Sequence, residues 1–217
     1  MKAQVRSDRE DRATLDGFWQ ISLGTRLSGK TLGLVGMGKI GTEVALIGNA
    51  FHMNVVAWSQ NLTKERARAS GASLISLAEL LSTSDIVSLH LRLSPRTKGI
   101  IGANELASMK RTAFLVNTAR SGLLDEAALI NALQQDRIAG AALDVFDEEP
   151  LPADHPLRRL PNTVITPHLG GVTRDRYRED YNDTIDDILG FLAGKPVRIL
   201  NPDVLARSNL RRPSLAR

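Results

Sequence analysis

Gly36-Met37-Gly38-Lys39-Ile40-Gly41 has the spacing G-x-G-x-x-G, and its surroundings narrow the choice of fold sharply. It directly follows the apolar run Thr31-Leu32-Gly33-Leu34-Val35 and opens the stretch Thr42–Ala50. In a strand–turn–helix of this kind the first glycine permits the tight turn. The second lets a pyrophosphate approach the backbone, and the third lets the helix pack on its strand. The N–H groups at the helix start then face the phosphates. Glycine-rich turns are common, so the hexapeptide carries little alone. A strand before it, a helix after it and a second strand at Val55 make it a dinucleotide-binding turn.

The rest of the chain continues the alternation. Further strand candidates are Val55–Trp58, Ile86–Leu91, Phe114–Asn117, Ala141–Val145 and Val164–Thr166. Ser76-Leu77-Ala78-Glu79 has the spacing of a capping box, and Asp125 is placed to cap a helix running through Gln135. A last helix is expected from Arg174 to Ala193, stopping at Gly194 ahead of Pro196. Strands alternating with helices imply βαβ units, so the fold class is α/β with a Rossmann-type, doubly wound parallel sheet. The expected layout is a single domain with extensions at both ends. Residues 1–28 are an entering segment, 29–171 the dinucleotide-binding domain, 172–205 a C-terminal helix and return, and 206–217 a basic tail read as a disordered end.

Composition removes several function classes. Zero cysteines exclude disulfide scaffolds, thiolate metal sites and cysteine nucleophiles, and fit a reducing compartment. The four histidines show no ligand spacing, so no metal site is expected. Aromatics are only 4%, too few for a stacking nucleic-acid face. The pI of 9.7 does not reverse this. Arg207, Arg211, Arg212 and Arg217 lie in a tail without acids, and without them basic and acidic residues balance at 24 each. No apolar run is long enough to span a membrane, and the start lacks the apolar core of a signal peptide. The expectation is a cytoplasmic protein with neither nucleic acid nor membrane as partner.

The second strand of such a fold should end in an acid for the ribose 2′-OH, about 20 residues past the glycines. Ser59 stands there, 18 residues after Gly41, followed by Gln60 and Asn61, with no acid before Glu65. Lys64 and Arg66 add cations one turn further on. Either NAD or NADP is therefore admitted as cofactor.

Three later strand ends carry charge. Arg120 lies just past Phe114–Asn117, Asp144 and Glu149 lie in and after the next strand, and His168 follows the last, beside Gly170 and Gly171. A guanidinium can hold the carboxylate of a 2-hydroxy acid and polarise its C2 oxygen. An imidazole can take or return the hydroxyl proton, and a neighbouring carboxylate can orient it.

The ordered set resembles the D-isomer-specific 2-hydroxyacid dehydrogenases. The resemblance runs from Leu27–Gly33 through the glycine turn, Met109-Lys110, Asn117–Arg120 and Asp144–Pro150 to Gly171, about two-thirds of the chain. It implies Arg120 as the substrate arginine, Glu149 as the orienting acid and His168 as the acid/base. For the cofactor it implies Gly36, Gly38, Lys39, Ile40 and Gly41 at the pyrophosphate and Ser59 at the ribose. Thr118, Ala119, Arg120, Asp144 and His168 fall toward the nicotinamide, and Gly170 and Gly171 complete the set. It also implies a 2-hydroxy or 2-oxo acid substrate and a homodimer formed through the cofactor domain, for which Phe18-Trp19 is a candidate contact.

Departures from the family pattern add further expectations. In the family a substrate lobe of about domain size precedes this region, whereas 28 residues precede Gly29 here. The chain thus reads as a cofactor-binding part with little turnover alone. Arg92 replaces a common proline, and Ser121-Gly122 replaces a glycine directly after the arginine. The competing reading is a non-catalytic, NAD(H)-sensing interaction protein, since the family fold also serves corepressors.

Overall fold

Seven short strands form one sheet in the computed structural model, which describes residues 10–206. They are β1 (Thr31–Val35), β2 (Asn54–Trp58), β3 (Ser73–Leu74), β4 (Ile86–Leu89), β5 (Phe114–Asn117), β6 (Gly140–Leu143) and β7 (Thr163–Ile165). Every neighbouring pair is parallel, and the order is β3-β2-β1-β4-β5-β6-β7. The chain winds outward from β1 in one direction through β2 and β3, then crosses back to β4 and continues the other way. The crevice above β1 and β4 is therefore the topological switch point, where open α/β sheets take their ligands.

Helices α1 (Lys39–Ala50), α2 (Lys64–Ala69), α3 (Leu77–Thr83), α4 (Ala103–Ser108) and α5 (Glu126–Gln134) make the crossovers. Two apolar clusters show why the sheet is doubly wound. Leu32, Leu34, Val55 and Ala57 are buried with Ala45 of α1 and Ala67 of α2. Val35, Val87, Leu89 and Leu115 are buried with Leu80 of α3, Leu106 of α4 and Leu133 of α5. Alternate residues of β1 thus serve opposite layers, as the period of two along a strand requires.

The expected capping residues act as such. Ser76 Oγ accepts from Glu79 N–H at 3.2 Å, and the Asp125 carboxylate accepts from Ala128 N–H at 2.9 Å. At the N-terminal edge of the sheet, Asp85 Oδ2 accepts from Thr31 N–H at 2.8 Å, and Lys110 Nζ lies 3.3 Å from Oδ1. Burial opposes ionisation of Asp85, but the Thr31 N–H, Lys110 and Lys30 outweigh it and hold its carboxyl below the ordinary value. β3, two residues long, has no counterpart among the strand candidates. β4 stops at Leu89, two residues earlier than expected, and β6 and β7 each begin one residue earlier.

Two units divide the chain, Met1–Leu169 and Gly170–Arg217. The first contains the whole sheet. Its entering segment is helical at residues 10–15 and then irregular, leaving Phe18 63% and Trp19 78% exposed. The second contains α6 (Arg174–Leu192), capped by Thr173 Oγ1 accepting from Arg176 N–H at 3.1 Å. That helix gives way to Gly194, whose φ of +70° suits the turn the sequence placed there. Arg198 then returns to bond Asp187 at 3.0 Å. Residues 1–9 and the basic tail from Arg207 lie outside the described residues. Among the described residues no helix is long and apolar enough to cross a membrane.

Candidate active site

The C-terminal edge of the sheet gathers the singled-out residues of the first unit. The turn Gly36–Gly38 joins β1 to α1. Gly36 has a φ of +109°, and a Cβ there would lie 2.7 Å from the His90 carbonyl carbon. A Cβ at Gly41 would overlap the Gly36 carbonyl oxygen. These two glycines are demanded by the fold. Gly38 differs: its φ of −89° suits any residue, and a Cβ there would meet nothing within 4 Å. Nothing in the protein requires that glycine, so the space above it is free for a ligand to approach the backbone. α1 begins at Lys39 with no side-chain cap and no acid in its first turn, and Lys39 and Ile40 are exposed beside it. A phosphate fits this donor set.

On one side of the turn, β2 leads into Ser59, which is half-buried, with Gln60 and Asn61 exposed. Arg66 Nη1 reaches back to the Asn61 carbonyl at 3.5 Å. On the other side, β4 leads into His90, whose N–H donates to the Val35 carbonyl at 2.8 Å. The His90 ring bonds Ser88 Oγ at 2.9 Å, and burial pushes its pKa down, so it is neutral near pH 7.

Past β5, the loop Thr118–Arg120 is shaped by a side chain the sequence did not mark as functional. Asn117 is fully buried; its Oδ1 accepts from Ala119 N–H at 3.0 Å and its Nδ2 donates to the Arg120 carbonyl at 2.8 Å. Both ends of one amide thus set the path of the next three residues. Thr118 and Arg120 are exposed at the edge, and Arg120 Nη1 donates to the Ala119 carbonyl at 2.6 Å. An asparagine closing an otherwise apolar strand is the one sequence signal that could have revealed this.

The loops after β6 and β7 bring the remaining groups together. His168 Nδ1 lies 2.8 Å from Glu149 Oε2, while Glu149 Oε1 accepts from Phe146 N–H at 3.0 Å. The contact with His168 and the Phe146 N–H hold the Glu149 carboxyl below its ordinary 4.5, so it is ionised at neutral pH. An ionised carboxylate can only accept, so Nδ1 is the donor in this contact and Nε2 takes no part in it.

Asp144, only 4% exposed, holds the backbone that presents His168. Its Oδ1 accepts from Thr166 Oγ1 at 2.5 Å and from Leu169 N–H at 2.8 Å, on either side of the histidine. Within that clasp His168 takes a φ of +52°, an uncommon value for a residue with a side chain.

Arg120, Glu149 and His168 line one open depression of about 280 Å³, with Ser121, Phe146 and Asp147. Behind the Glu149–His168 pair lies a second cavity of about 520 Å³ with apolar walls from Phe146, Leu151, Ile165 and Pro167. Gly170 and Gly171 open the second unit. His155 serves elsewhere, bonding Glu126 at 3.2 Å and capping the turn Pro156–Arg158. Among the described residues no three His, Cys, Asp or Glu side chains converge as metal ligands would.

Comparison with known proteins places this arrangement. Residues 1–170 match the family described as D-isomer specific 2-hydroxyacid dehydrogenase, NAD binding domain. A glyoxylate reductase of Aeropyrum pernix is 44% identical over 184 residues, covering 84% of this chain and 55% of that protein. The crystal structure of an oxidoreductase from Ralstonia solanacearum, assigned as a D-3-phosphoglycerate dehydrogenase, superposes with a TM-score of 0.86 at 39% identity. That similarity covers 97% of this chain and 66% of the other. An acyclic imino acid reductase solved with NADPH and D-Arg gives a TM-score of 0.75 at 32% identity, over 92% of this chain and 64% of its own. The chain thus spans from about half to about two-thirds of the length of these relatives. With a family match over most of its length and identities of this size, the chain belongs to the D-isomer-specific 2-hydroxyacid dehydrogenases, through their NAD-binding domain.

Proposed function

We propose that this chain binds NAD(H) or NADP(H) along the C-terminal edge of its sheet and supports hydride exchange with C2 of a 2-hydroxy or 2-oxo acid. The observation that carries the reading is the 2.8 Å contact of His168 with Glu149 in the depression that also holds Arg120. The space above Gly38 takes the pyrophosphate, and Lys39 and Ile40 flank it. Ser59 meets the adenosine ribose, and Thr118, Ala119 and Asp144 lie toward the nicotinamide end.

The dinucleotide, when bound, supplies or accepts the hydride. Arg120 holds the substrate carboxylate and draws electron density from the C2 oxygen. His168 Nε2 gives a proton to that oxygen during reduction and takes it back during oxidation. Glu149 fixes the ring by its other nitrogen and stabilises the imidazolium. Asp144 sets the backbone on both sides of the histidine.

His168 is 47% and Glu149 38% exposed, so water enters the depression and weakens its electrostatics. The 217-residue chain alone is therefore expected to bind cofactor but to turn over slowly. A substrate-binding lobe, joined to it or supplied separately, would close the site and raise the rate. Dimerisation through the cofactor unit belongs to the same proposal, since exposed Phe18, Trp19 and Leu23 offer an apolar contact. Sedimentation showing a monomer at high concentration would remove that part.

The main test is an assay of the purified chain with NADH and NADPH against glyoxylate, hydroxypyruvate and other 2-oxo acids. Slow turnover that disappears in His168→Ala is the expected result. Tight dinucleotide binding with no turnover dependent on His168 would favour the sensing role instead.

A further inference from the structure

The loop leaving β4 brings a cation to the phosphate turn that the proposed chemistry does not use. His90 and Leu91 pack directly on Gly36, where a Cβ would lie 2.7 Å from the His90 carbonyl carbon and 2.8 Å from Leu91 N. Arg92 is the next residue. Its backbone is fixed, because Thr97 Oγ1 donates to the Arg92 carbonyl at 2.7 Å and accepts from Ser94 N–H at 2.8 Å. Further along, Gly99 N–H bonds the Gly122 carbonyl at 2.8 Å. The Arg92 guanidinium is exposed and makes no hydrogen bond or ion pair with any described residue.

The charge around this loop has one sign. Between Asp85 and Glu105 the chain carries Arg92, Arg96 and Lys98 and no acid. Across β1, the end of β2 also lacks an acid, and Arg66 folds back onto Asn61. Strands in a sheet lie about 4.8 Å apart, so the ends of β2 and β4 stand roughly 10 Å from each other across β1. That gap is the crevice at the switch point, with the loop that carries Arg92 leaving one side of it, the segment Asn61–Arg66 leaving the other, and Gly38 between them.

Resting on the dinucleotide site proposed above, we infer that Arg92, with Arg66 on the opposite wall, binds the 2′-phosphate of NADP(H) and makes this chain prefer the phosphorylated dinucleotide. A 2′-phosphate brings close to two negative charges and several acceptor oxygens, which suits the planar fork of a guanidinium. An acid at the β2 end would repel it, and Ser59, Gln60 and Asn61 do not.

The test is calorimetric or fluorescence titration of the whole chain with NADPH, NADH and 2′,5′-ADP, using wild type, Arg92→Ser and Arg66→Ser. Wild type should bind NADPH at least tenfold more tightly than NADH. Arg92→Ser should weaken NADPH and 2′,5′-ADP at least tenfold and leave NADH within twofold, with Arg66→Ser acting in the same direction. Equal weakening of NADH and NADPH would place Arg92 on the adenine or pyrophosphate and overturn the inference, as would no change at all. Good NADH binding without preference for NADPH overturns it while leaving the dinucleotide site standing. Binding of neither cofactor by wild type overturns both.

Discussion

Gly36 and Gly38 stand two residues apart in one turn, yet replacing each with alanine should have opposite consequences. At Gly36 the φ of +109° is one that side-chain-bearing residues rarely adopt, and the new Cβ would lie 2.7–2.8 Å from backbone atoms of His90 and Leu91. The backbone strain costs about 1–3 kcal/mol, and forcing the β4 loop aside adds about 1–3 kcal/mol. A loss of roughly 2–6 kcal/mol is large against a typical total of about 5–15 kcal/mol. It corresponds to a fall in Tm of roughly 5–20 °C for a chain this size. At Gly38 the backbone is extended and the Cβ would meet nothing within 4 Å. There a lower unfolded-state entropy offsets a slightly poorer helix cap, and stability should stay within about 1 kcal/mol. Its dinucleotide affinity should nevertheless fall at least ~10-fold, or about 1.4 kcal/mol, because the methyl occupies the surface kept clear for the pyrophosphate. Thermal melts and NADH and NADPH titrations on both variants supply the comparison. A Gly38→Ala protein that melts and binds like wild type would refute the assignment of that space to a phosphate.

Other outcomes follow from groups at the same edge. Since the Glu149 carboxyl is held below 4.5 by His168 and the Phe146 N–H, its stabilising contact is intact above that value. The contact is lost as pH falls through the lowered folded value, so Glu149→Gln should lower stability at neutral pH and flatten the acid limb of the stability–pH profile below 4.5, the two profiles converging in acid. Burial keeps His90 neutral, so the unfolded chain takes up its proton first and stability falls as pH drops below 6.5. Replacing it with glutamine should make Tm less sensitive to acid between pH 7 and 5. Asn117→Ala strands the Ala119 N–H and the Arg120 carbonyl. It should cost about 1–3 kcal/mol in urea denaturation and weaken turnover through a displaced Arg120.

What the sequence revealed, and what it concealed, divides by range of interaction. The glycine turn is local: strand, three spaced glycines and helix occupy adjacent residues, and their geometry follows from backbone sterics alone. Ser76 and Asp125 are equally local, since an N-cap needs only a short polar side chain at the right offset. β3 escaped notice because two residues cannot display a period. The clasp of Asp144 on Thr166 and Leu169 joins residues 22 and 25 apart in the chain, and no spacing rule announces it. The +52° φ of His168 is a product of that clasp and is invisible in a stretch flanked by proline and glycines. Asn117 was in plain view as the last residue of a strand, but only burial shows that its amide shapes the arginine loop. Arg92 was legible as a departure from the family pattern; its nearness to the phosphate turn required the β1–β4 pairing.

Transfer of label between cofactor and substrate reaches the central claim most directly. The purified chain would be incubated with NADPH or NADH deuterated at the reactive C4 position and with hydroxypyruvate, long enough to detect slow turnover. Deuterium should appear at C2 of the hydroxy acid product, and His168→Ala should reduce transfer ~10²–10⁴-fold while binding the cofactor as wild type does. Bound cofactor with no deuterium at C2, or equal transfer by His168→Ala, would contradict the assignment of hydride chemistry to this edge.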